Sequence, residues 1–248
     1  MADLSWMHQP FAHRGLHKSL NNIIENSPSA ITAAMEKGFA IEVDLQPDQN
    51  NEPVVFHDQV LDRLTHEKGH LKDRVLKDLR RVYYRGTSDC IIGLDDLLNL
   101  VRGSVPLIIE IKSQWIPNPE FIESITRLLD IYRGKFALMS FDPRIMLIVR
   151  EIAPDIPNGL VAERFSDQAH WSSLNFMQRF MLRHLLWCLR LRSDFIAYDI
   201  RGLPSLAPFL FRWLWRRPVL TWTVKSDKQY ARAIRWADAV IFEKISPQ

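Results

Sequence analysis

Three acidic side chains stand near the ends of two apolar stretches of the chain. Glu42 and Asp44 lie two residues apart in Ile-Glu-Val-Asp-Leu, and Glu110 lies in Leu-Ile-Ile-Glu-Ile-Lys. Because alternate side chains of a strand share a face, Glu42 and Asp44 are predicted to point the same way, as are Glu110 and Lys112. Buried carboxylates are costly unless they are paired, hydrogen-bonded or bound to a cation. Three hard oxygen ligands favour Mg²⁺ or Ca²⁺ over Zn²⁺, and the alternative is pairing with Lys or Arg neighbours.

Two histidines end strand-like segments of the same kind. His13 follows Phe-Ala, and His57 follows Val-Val-Phe. A single histidine at a strand end is typical of a structural hydrogen bond. As a pair they can serve as general acid and general base, because the unperturbed pKa of histidine, about 6.5, lies near neutrality. Arg14, next to His13, offers a planar donor fork for phosphate, and the alternative is a surface ion pair.

The elements that would position these residues alternate between short apolar runs and helix-like segments. The predicted strands are Pro10–His13, Ala40–Leu45, Val105–Lys112, Phe136–Ser140, Asn158–Ala162, Phe195–Asp199, Val219–Val224 and Ala239–Glu243. Ser27-Pro28 and Asp142-Pro143 each provide a helix N-cap followed by proline at the first helical position. Eight strands alternating with helices predict a TIM (β/α)8 barrel, an α/β fold whose active-site mouth lies at the carboxyl ends of the strands. A doubly wound open sheet is the alternative, but no GxGxxG turn supports it.

One apolar run breaks the alternation. Pro53–His57 follows the second predicted strand after only a handful of residues, whereas a parallel crossover needs about a dozen. It is therefore predicted to be a β-hairpin partner of strand 2. Residues 58–93 are predicted to form a small capping insertion before the helix Leu94–Val101. No linker or internal repeat divides the chain, so we expect residues 1–248 to form a single domain.

Composition and the N-terminus bound the class and location of the protein. The chain has 248 residues, of which 47% are hydrophobic and 25% charged, and its net charge is +3. It is therefore predicted to be globular, with no nucleic acid among its partners. Cys90 and Cys188 fit no disulfide framework or zinc pattern. The start of the chain lacks the apolar run of about 7–15 residues that export requires, and no apolar stretch reaches the roughly 18–20 residues of a membrane span. We expect a cytoplasmic protein.

Residues 174–217 form a basic aromatic helical region. It contains eight arginines and two aspartates. On one ideal helix Arg179, Arg183 and Arg190 would fall within roughly 40° of one another. The simpler interpretation is two outer barrel helices with solvated arginines. Apolar residues that cover more than one helix face favour instead a peripheral contact with the inner face of an anionic membrane, or an oligomer contact.

The motifs, in this order and spacing, resemble the glycerophosphodiester phosphodiesterase family of the bacterial cytosolic type. They are His-Arg-Gly at 13–15, Glu-Asn at 25–26, Glu-x-Asp at 42–44, Pro-Val-Val-x-His-Asp at 53–58, Leu-Asp-Arg-Leu-Thr at 61–65, Glu-x-Lys at 110–112, Ser-Phe-Asp-Pro at 140–143 and Trp-Thr-Val at 222–224. The resemblance implies a barrel whose insertion after the His-Asp strand caps the mouth. The chain departs from the family in 164–193 and at 241–247, where Ile-Phe-Glu-Lys-Ile-Ser-Pro replaces a frequent Ile-Thr-Asp-x-Pro.

The resemblance also implies a role, by position, for each chemically active residue. Glu42, Asp44 and Glu110 match the ligands of one divalent cation, His13 and His57 match the acid/base pair, and Arg14, Glu25, Lys112 and Trp222 match residues around the substrate. Within that last group Arg14 and Lys112 stand near the phosphate, Trp222 is a wall of the alcohol pocket, and Glu25 supports Arg14 or reaches the metal or substrate. The implied activity is metal-dependent hydrolysis of small glycerophosphodiesters to sn-glycerol 3-phosphate and an alcohol, in lipid and glycerol metabolism. The glycerol 2-hydroxyl is the implied attacking group, and water then opens a cyclic phosphate.

Other functions stay open at this point. Within enzymes, the alternatives are a phosphodiesterase that acts on intact or lysophospholipids at a membrane surface, and a lyase that stops at the cyclic phosphate. Only the basic aromatic helical region favours a lipid substrate. The non-enzymatic alternative is a catalytically silent barrel that binds phospholipids, which the presence of every residue needed for catalysis disfavours. The sequence leaves the head-group alcohol, the choice between Mg²⁺ and Ca²⁺, and the oligomeric state undecided.

Overall fold

The computed structural model describes residues 3–18, 22–167, 169 and 171–247. The chain divides into two compact units, which are described separately. The first unit comprises Phe11–Lys112 and Asn118–Phe136, and the second comprises Met1–Pro10, Ser113–Pro117 and Ala137–Gln248. Along the described chain, eight strands with parallel neighbours alternate with helices. This alternation confirms the predicted TIM (β/α)8 class. The expectation of a single domain stays a prediction.

The first unit contains three parallel strands and one hairpin strand. They are β1 (Phe11–His13), β2 (Ala40–Pro47), β3 (Pro53–Val55) and β4 (Leu107–Ile111). β2 pairs in parallel with β1 and β4, and antiparallel with β3, where Leu45 lies opposite Val55. The predicted hairpin after strand 2 is therefore confirmed. Every residue of β2 except the last is buried, so any charge on this strand needs a partner within the protein.

Sequence signals account for the helices of the first unit. These are α1 (Pro28–Glu36), α2 (Leu76–Leu79), α3 (Leu94–Val101) and α4 (Pro119–Asp130). Ser27 caps α1, since its hydroxyl oxygen accepts a hydrogen bond from the Ala30 backbone N–H at 3.2 Å, and Pro28 occupies the first helical position. The helix predicted over Leu94–Val101 has the same bounds in the structure.

The insertion at 58–93 is mostly irregular but has a hydrophobic core. The buried residues of this core are Val54, Phe56, Leu61, Leu71, Leu76, Leu79, Val82, Tyr84 and Ile91. The carboxylate of Asp48, which follows β2, accepts a hydrogen bond from the Leu76 backbone N–H at 2.6 Å. The insertion is therefore an ordered part of the first unit. Its role as a cap over the active site stays a prediction.

The second unit contains five strands. Each of the first four pairs in parallel with the strand that follows it along the chain. Its elements are β5 (Phe136–Ser140), α5 (Pro143–Ile152), β6 (Asn158–Ala162), α6 (Phe176–Arg183), α7 (Trp187–Leu191), β7 (Phe195–Asp199), α8 (Leu206–Leu214), β8 (Val219–Val224), α9 (Asp227–Trp236) and β9 (Ala239–Phe242). The first residue of β5, Phe136, is assigned to the first unit. The bounds of β5 to β8 are those predicted from the sequence. Asp142 caps α5, as predicted, by accepting from the Arg144 backbone N–H at 3.0 Å.

The basic aromatic helical region, 174–217, forms three helices, α6, α7 and α8, rather than two. The first break occurs at Leu185, whose φ of 57° is left-handed and cannot continue a helix. Arg179 and Arg183 therefore belong to α6, and Arg190 belongs to α7. The prediction that these three arginines share one helix face is wrong, because it assumed a continuous helix through Leu185.

We expect Leu79→Ala to lower the free energy of unfolding by about 2–5 kcal/mol. Leu79 is fully buried in the core of the insertion, so the shorter side chain leaves a cavity there. The matched control is Lys77→Ala on the exposed side of α2, for which a change within about 0.5 kcal/mol is expected. Urea unfolding followed by circular dichroism measures both, and equal stability of the two variants would contradict an ordered insertion.

Candidate active site

The carboxylates of Glu42, Asp44 and Glu110 meet in the first unit. β2 and β4 are in register with Asp44 opposite Glu110, and Glu42 lies on the same face of β2 as Asp44. One oxygen of each of the three lies within 4.8 Å of the others. All three residues are buried. The structure therefore brings the three predicted metal ligands together, and their role as ligands stays a prediction.

Asp44 is neutralised by protein cations. The Lys112 Nζ atom lies 2.8 Å from Oδ1 of Asp44, and the Arg14 Nε atom lies 3.0 Å from Oδ2. The side-chain amide of Asn26 donates a hydrogen bond to the same Oδ2 at 3.0 Å. Burial by itself raises the pKa of Asp44, but Lys112 and Arg14 outweigh it, so this pKa lies well below its usual range. Asp44 is therefore a carboxylate at neutral pH.

Glu42 has much weaker compensation. Its Oε2 accepts a hydrogen bond from the Arg14 backbone N–H at 3.1 Å and lies 3.8 Å from Nε2 of His13. Its Oε1 is buried and has no hydrogen-bond partner among the described residues. Burial, together with the charges of Asp44 and Glu110, raises the pKa of Glu42 well above its usual range. A hard divalent cation would offset this cost, so the three carboxylates fit such an ion.

Lys112 bridges two of the three acids. Its Nζ atom lies 2.6 Å from Oε1 of Glu110, in addition to its contact with Asp44. Burial lowers the pKa of Lys112, but the two carboxylates outweigh it and raise that pKa above its usual value. The ammonium group therefore stays protonated at neutral pH. Its predicted place near the phosphate of a substrate stays a prediction.

A left-handed turn after β1 aims Arg14 at the acidic cluster. Arg14 has a φ of 55°, and Gly15 has a φ of 77°. A Cβ atom at Gly15 would lie 2.7 Å from the carbonyl carbon of Ala30, which is closer than real contacts allow. Glycine is therefore needed at this turn, both for its conformation and for the close approach to α1.

Arg14 is oriented by Glu25. The Arg14 NH1 group donates to Oε1 of Glu25 at 2.6 Å, so the structure agrees with the alternative in which Glu25 supports Arg14. The guanidinium of Arg63 donates two hydrogen bonds to the same carboxylate, at 2.7 and 3.1 Å. Burial raises the pKa of Glu25, but Arg63 and Arg14 together lower it below its usual value. Glu25 is therefore an ionised link between the two arginines.

His57 is held through its Nδ1 atom. This atom lies 2.7 Å from Oδ1 of Asp58, and Arg63 binds both oxygens of Asp58, at 2.5 and 3.0 Å. Burial raises the pKa of Asp58, but the contacts with His57 and Arg63 lower it well below its usual range. An ionised carboxylate only accepts hydrogen bonds, so Nδ1 of His57 must be the donor. The Nε2 atom is then the one that can exchange a proton, on a ring whose side chain is 32% exposed.

Both predicted catalytic histidines lie near the acidic cluster. His13 is next to Glu42, and its side chain is 12% exposed. Both His57 and His13 lie close enough to Asp44 that their positive charge lowers its pKa. The two imidazoles thus border the same carboxylates, which is the arrangement that an acid/base pair needs.

Sequence reasoning assigned no role to Asn26, Asp58 or Arg63. All three stand within motifs on which the family resemblance rests, yet their contacts are made by side chains from distant segments. Only Asp58 had a local signal, since a carboxylate directly after a strand-end histidine is well placed to orient the ring. These three residues position Asp44, His57 and Glu25 rather than add another reactive group.

Trp222 lies in the second unit, on β8. Its indole N–H donates to the Ala197 carbonyl at 3.1 Å. Its ring meets that of Phe141 edge-on, with centroids 5.5 Å apart, and Phe141 also contacts Trp171 at 5.4 Å. Trp222 is therefore part of an aromatic cluster in the second unit. Its predicted part in the alcohol pocket stays a prediction.

Comparison with known proteins gives a consistent result. The model of the Glycerophosphoryl diester phosphodiesterase family matches residues 13–245. The chain is 29% identical over 160 residues to a glycerophosphodiester phosphodiesterase of Caldanaerobacter subterraneus subsp. tengcongensis, covering 60% of this chain and 65% of that protein. It is also 29% identical over 157 residues to a glycerophosphodiester phosphodiesterase of Bacillus altitudinis, covering 59% and 63%. The matched part of the chain thus spans just under two thirds of the length of these relatives.

A solved structure shows the same fold. The structure of a phosphodiesterase of Oleispira antarctica in complex with the product sn-glycerol-3-phosphate superposes with a TM-score of 0.77. The two chains are 17% identical, and the superposition covers 94% of this chain and 92% of the other. At this identity the likeness supports the barrel fold.

In metal-free protein, Glu42→Gln is expected to raise the free energy of unfolding at neutral pH by about 1 kcal/mol or more. In the wild type, the folded-state pKa of Glu42 lies above the ordinary value of 4.5. Its stabilising contribution is therefore fully present below pH 4.5 and is lost as the pH rises through the folded-state pKa. The variant lacks this loss, so the two proteins should converge at low pH and diverge at high pH.

Urea unfolding in the presence of EDTA, from about pH 4.5 to pH 8, measures this difference. The matched control is Glu36→Gln at the exposed end of α1, which should follow the wild-type pH dependence. Identical pH profiles for wild type and Glu42→Gln would contradict the weak compensation of the buried Glu42 carboxylate.

Proposed function

This chain belongs to the Glycerophosphoryl diester phosphodiesterase family, and on that premise we propose that it hydrolyses glycerophosphodiesters to sn-glycerol 3-phosphate and an alcohol. One observation carries the proposal. A buried cluster of three carboxylates is bordered by two histidines and two fixed cations, all within the first unit. A barrel that only bound phospholipids would have no need for an oriented acid/base pair beside a cation site.

The charge of the substrate decides what the site must supply. A phosphodiester carries a negative charge that repels nucleophiles, and its leaving alkoxide is poor. Arg14 and Lys112 are protonated and held in place by carboxylates, so they can stabilise the negative charge of the transition state without reorganising. A divalent cation held by Glu42, Asp44 and Glu110 would supply further neutralisation at a non-bridging phosphate oxygen. The proposal names Mg²⁺ or Ca²⁺ as this ion.

The two histidines would move the protons. Because Asp58 fixes Nδ1 of His57 as a donor, the proton exchanged with substrate resides on Nε2. One of His13 and His57 takes the proton from the attacking oxygen, and the other protonates the departing oxygen. Family resemblance makes the glycerol 2-hydroxyl the attacking group, so the two rings exchange roles when water opens the cyclic phosphate.

The proposed substrate is a small molecule, and the proposed location is the cytoplasm, with contact at the inner face of the membrane. None of the helices in the described ranges combines the length and the hydrophobicity that crossing a bilayer requires.

A second candidate activity, on intact or lysophospholipids, is favoured by the exposed apolar side chains of α6 and α8. The phosphate product distinguishes the two, since a deacylated substrate yields water-soluble glycerol 3-phosphate, whereas an intact or lysophospholipid yields phosphatidic or lysophosphatidic acid.

The proposed function is tested by assaying the release of glycerol 3-phosphate from glycerophosphocholine and glycerophosphoethanolamine, and the release of lysophosphatidic acid from lysophosphatidylcholine. We expect release from the deacylated substrates, loss of release in EDTA, and recovery on addition of Mg²⁺ or Ca²⁺ but not of Na⁺ at equal ionic strength. Activity that persists in EDTA would contradict the proposed dependence on a divalent metal ion. Absence of release from both deacylated substrates would contradict the proposed function.

His13→Ala and His57→Ala are each expected to lower kcat by about 10²–10⁴-fold or more, because each removes one proton transfer. The matched control is His66→Ala, an exposed histidine of the insertion, which should retain wild-type kcat. Steady-state kinetics with glycerophosphocholine measures the effect, and circular dichroism shows that the variants are folded. Retention of most activity by either of the first two variants would refute the two-histidine assignment.

A further inference from the structure

α8 presents an apolar stripe to solvent. The exposed apolar residues of this helix repeat at spacings of three and four, and they are Leu206 (71% exposed), Phe209, Leu210, Trp213 (67%) and Leu214 (71%). A stripe with this spacing is normally the buried face of a helix. Here the buried positions of α8 are instead Pro208 and Phe211, so the wider apolar face is left uncovered within the described structure.

The preceding helices add to this surface. Five more apolar side chains of α6, α7 and the turn between them are exposed, namely Phe176, Met177, Phe180, Leu186 and Leu189. α6 and α7 follow β6, and α8 follows the neighbouring strand β7, so all three belong to the layer of helices that surrounds the strands of such a fold. We refer to the ten residues on α6 to α8 together as the outer apolar face. Single exposed apolar residues are ordinary, but ten of them on three successive helices, five of which form a stripe on α8, indicate a contact surface.

Among the described residues, the charged side chains around the outer apolar face that are left without an ion pair are arginines. The only acidic residues between Phe176 and Arg217 are Asp194 and Asp199. Asp194 is paired with Arg150 at 3.0 Å and with Arg217 at 3.2 Å, and Asp199 is paired with Arg201 at 2.5 Å. The exposed arginines that remain are Arg183, Arg190, Arg192 and Arg216. The surface therefore combines large apolar side chains with a net positive field.

A basic cavity lies at the end of α8. It has a volume of about 290 Å³ and is lined by His8, Arg212, Trp213, Arg216, Arg217, Pro218 and Asp238. Asp238 binds Arg212 at 2.8 Å, whereas Arg216 makes no ion pair with any residue in the described ranges. A guanidinium without a partner beside an exposed indole suits the phosphate of a lipid head group.

We propose that the outer apolar face docks the protein, peripherally, on the surface of an anionic phospholipid bilayer. The aromatic and aliphatic side chains would enter the interface, and the arginines would contact the head groups. Charge complementarity favours this occupant over a second copy of the chain, because an isologous contact would place two positively charged faces against each other. The inference does not depend on the proposed activity, because binding can be measured without turnover.

Co-sedimentation of the full chain with vesicles tests the proposal. Vesicles of phosphatidylcholine with added phosphatidylglycerol should bind the protein at low salt, whereas vesicles of phosphatidylcholine alone should bind it weakly. Binding should fall at about 0.5 M NaCl, where surface charges are screened. Leu214→Glu should lower the partition coefficient by about tenfold or more. Arg216→Gln should lower it about fivefold, which corresponds to about 1 kcal/mol for one basic residue near the surface.

The matched control is Ile131→Glu, which changes an equally exposed apolar residue (74%) in the first unit. This variant should bind vesicles as the wild type does, and all three variants should hydrolyse glycerophosphocholine at the wild-type rate if the proposed activity holds. Failure to bind anionic vesicles at low salt would overturn the proposal, as would equal effects of Leu214→Glu and Ile131→Glu. A dimer that dissociates in Leu214→Glu, without vesicle binding, would assign the face to a second copy instead.

Discussion

The gathering of three carboxylates between two adjacent buried strands is the constraint on which the first unit depends. Asp44 faces Glu110 across β2 and β4, and Glu42 lies on the same face. Each charge taken from water must be compensated locally. Arg14 and Lys112 compensate Asp44 strongly, but they compensate Glu42 too weakly to offset its burial and the nearby acids, so the pKa of Glu42 is raised. A divalent cation is the component that would complete this charge balance.

The compensation extends outward as an unbroken series of ion pairs. It runs from Asp44 through Arg14, Glu25 and Arg63 to Asp58, and Asp58 in turn accepts a hydrogen bond from His57. Arg63 belongs to the insertion at 58–93, so an irregular segment contributes a charge that fixes both Glu25 and the His57–Asp58 pair. Because each side chain of this series contacts the next directly, each restricts the geometry of its neighbour. The same network therefore holds the predicted phosphate-binding arginine and one predicted proton-transfer group in place.

The sequence predicted the strands well because local signals determine them. Short apolar runs between helix-like segments gave β5 to β8 with the same bounds, and alternation along β2 placed Glu42 and Asp44 on one face. The roles of Asn26 and Arg63 could not be predicted, since their contacts depend on the path of irregular segments, whereas Asp58 had a local signal in its place directly after His57. The break at Leu185 also escaped prediction, because a left-handed conformation usually calls for Gly or Asn, and neither stands there.

The two faces of α8 show another limit of sequence analysis. An amphipathic pattern indicates that a helix has an apolar face, but it does not say what covers that face. In the structure the stripe that includes Trp213 and Leu214 points to solvent, while Phe211 is buried. Which face of α8 is covered can be read only from the folded structure, because it depends on what packs against the helix. The proposed catalytic residues and the outer apolar face lie in different units, so substitutions can address them separately.

The most direct test of the central claim is the position of a bound metal. Crystals grown with Mn²⁺, which takes the same oxygen ligands as Mg²⁺, would show the ion in an anomalous difference map. The account predicts one strong peak bounded by the carboxylates of Glu42, Asp44 and Glu110, and its loss in Asp44→Asn. A peak at another place in the first unit, or its persistence in Asp44→Asn, would contradict it.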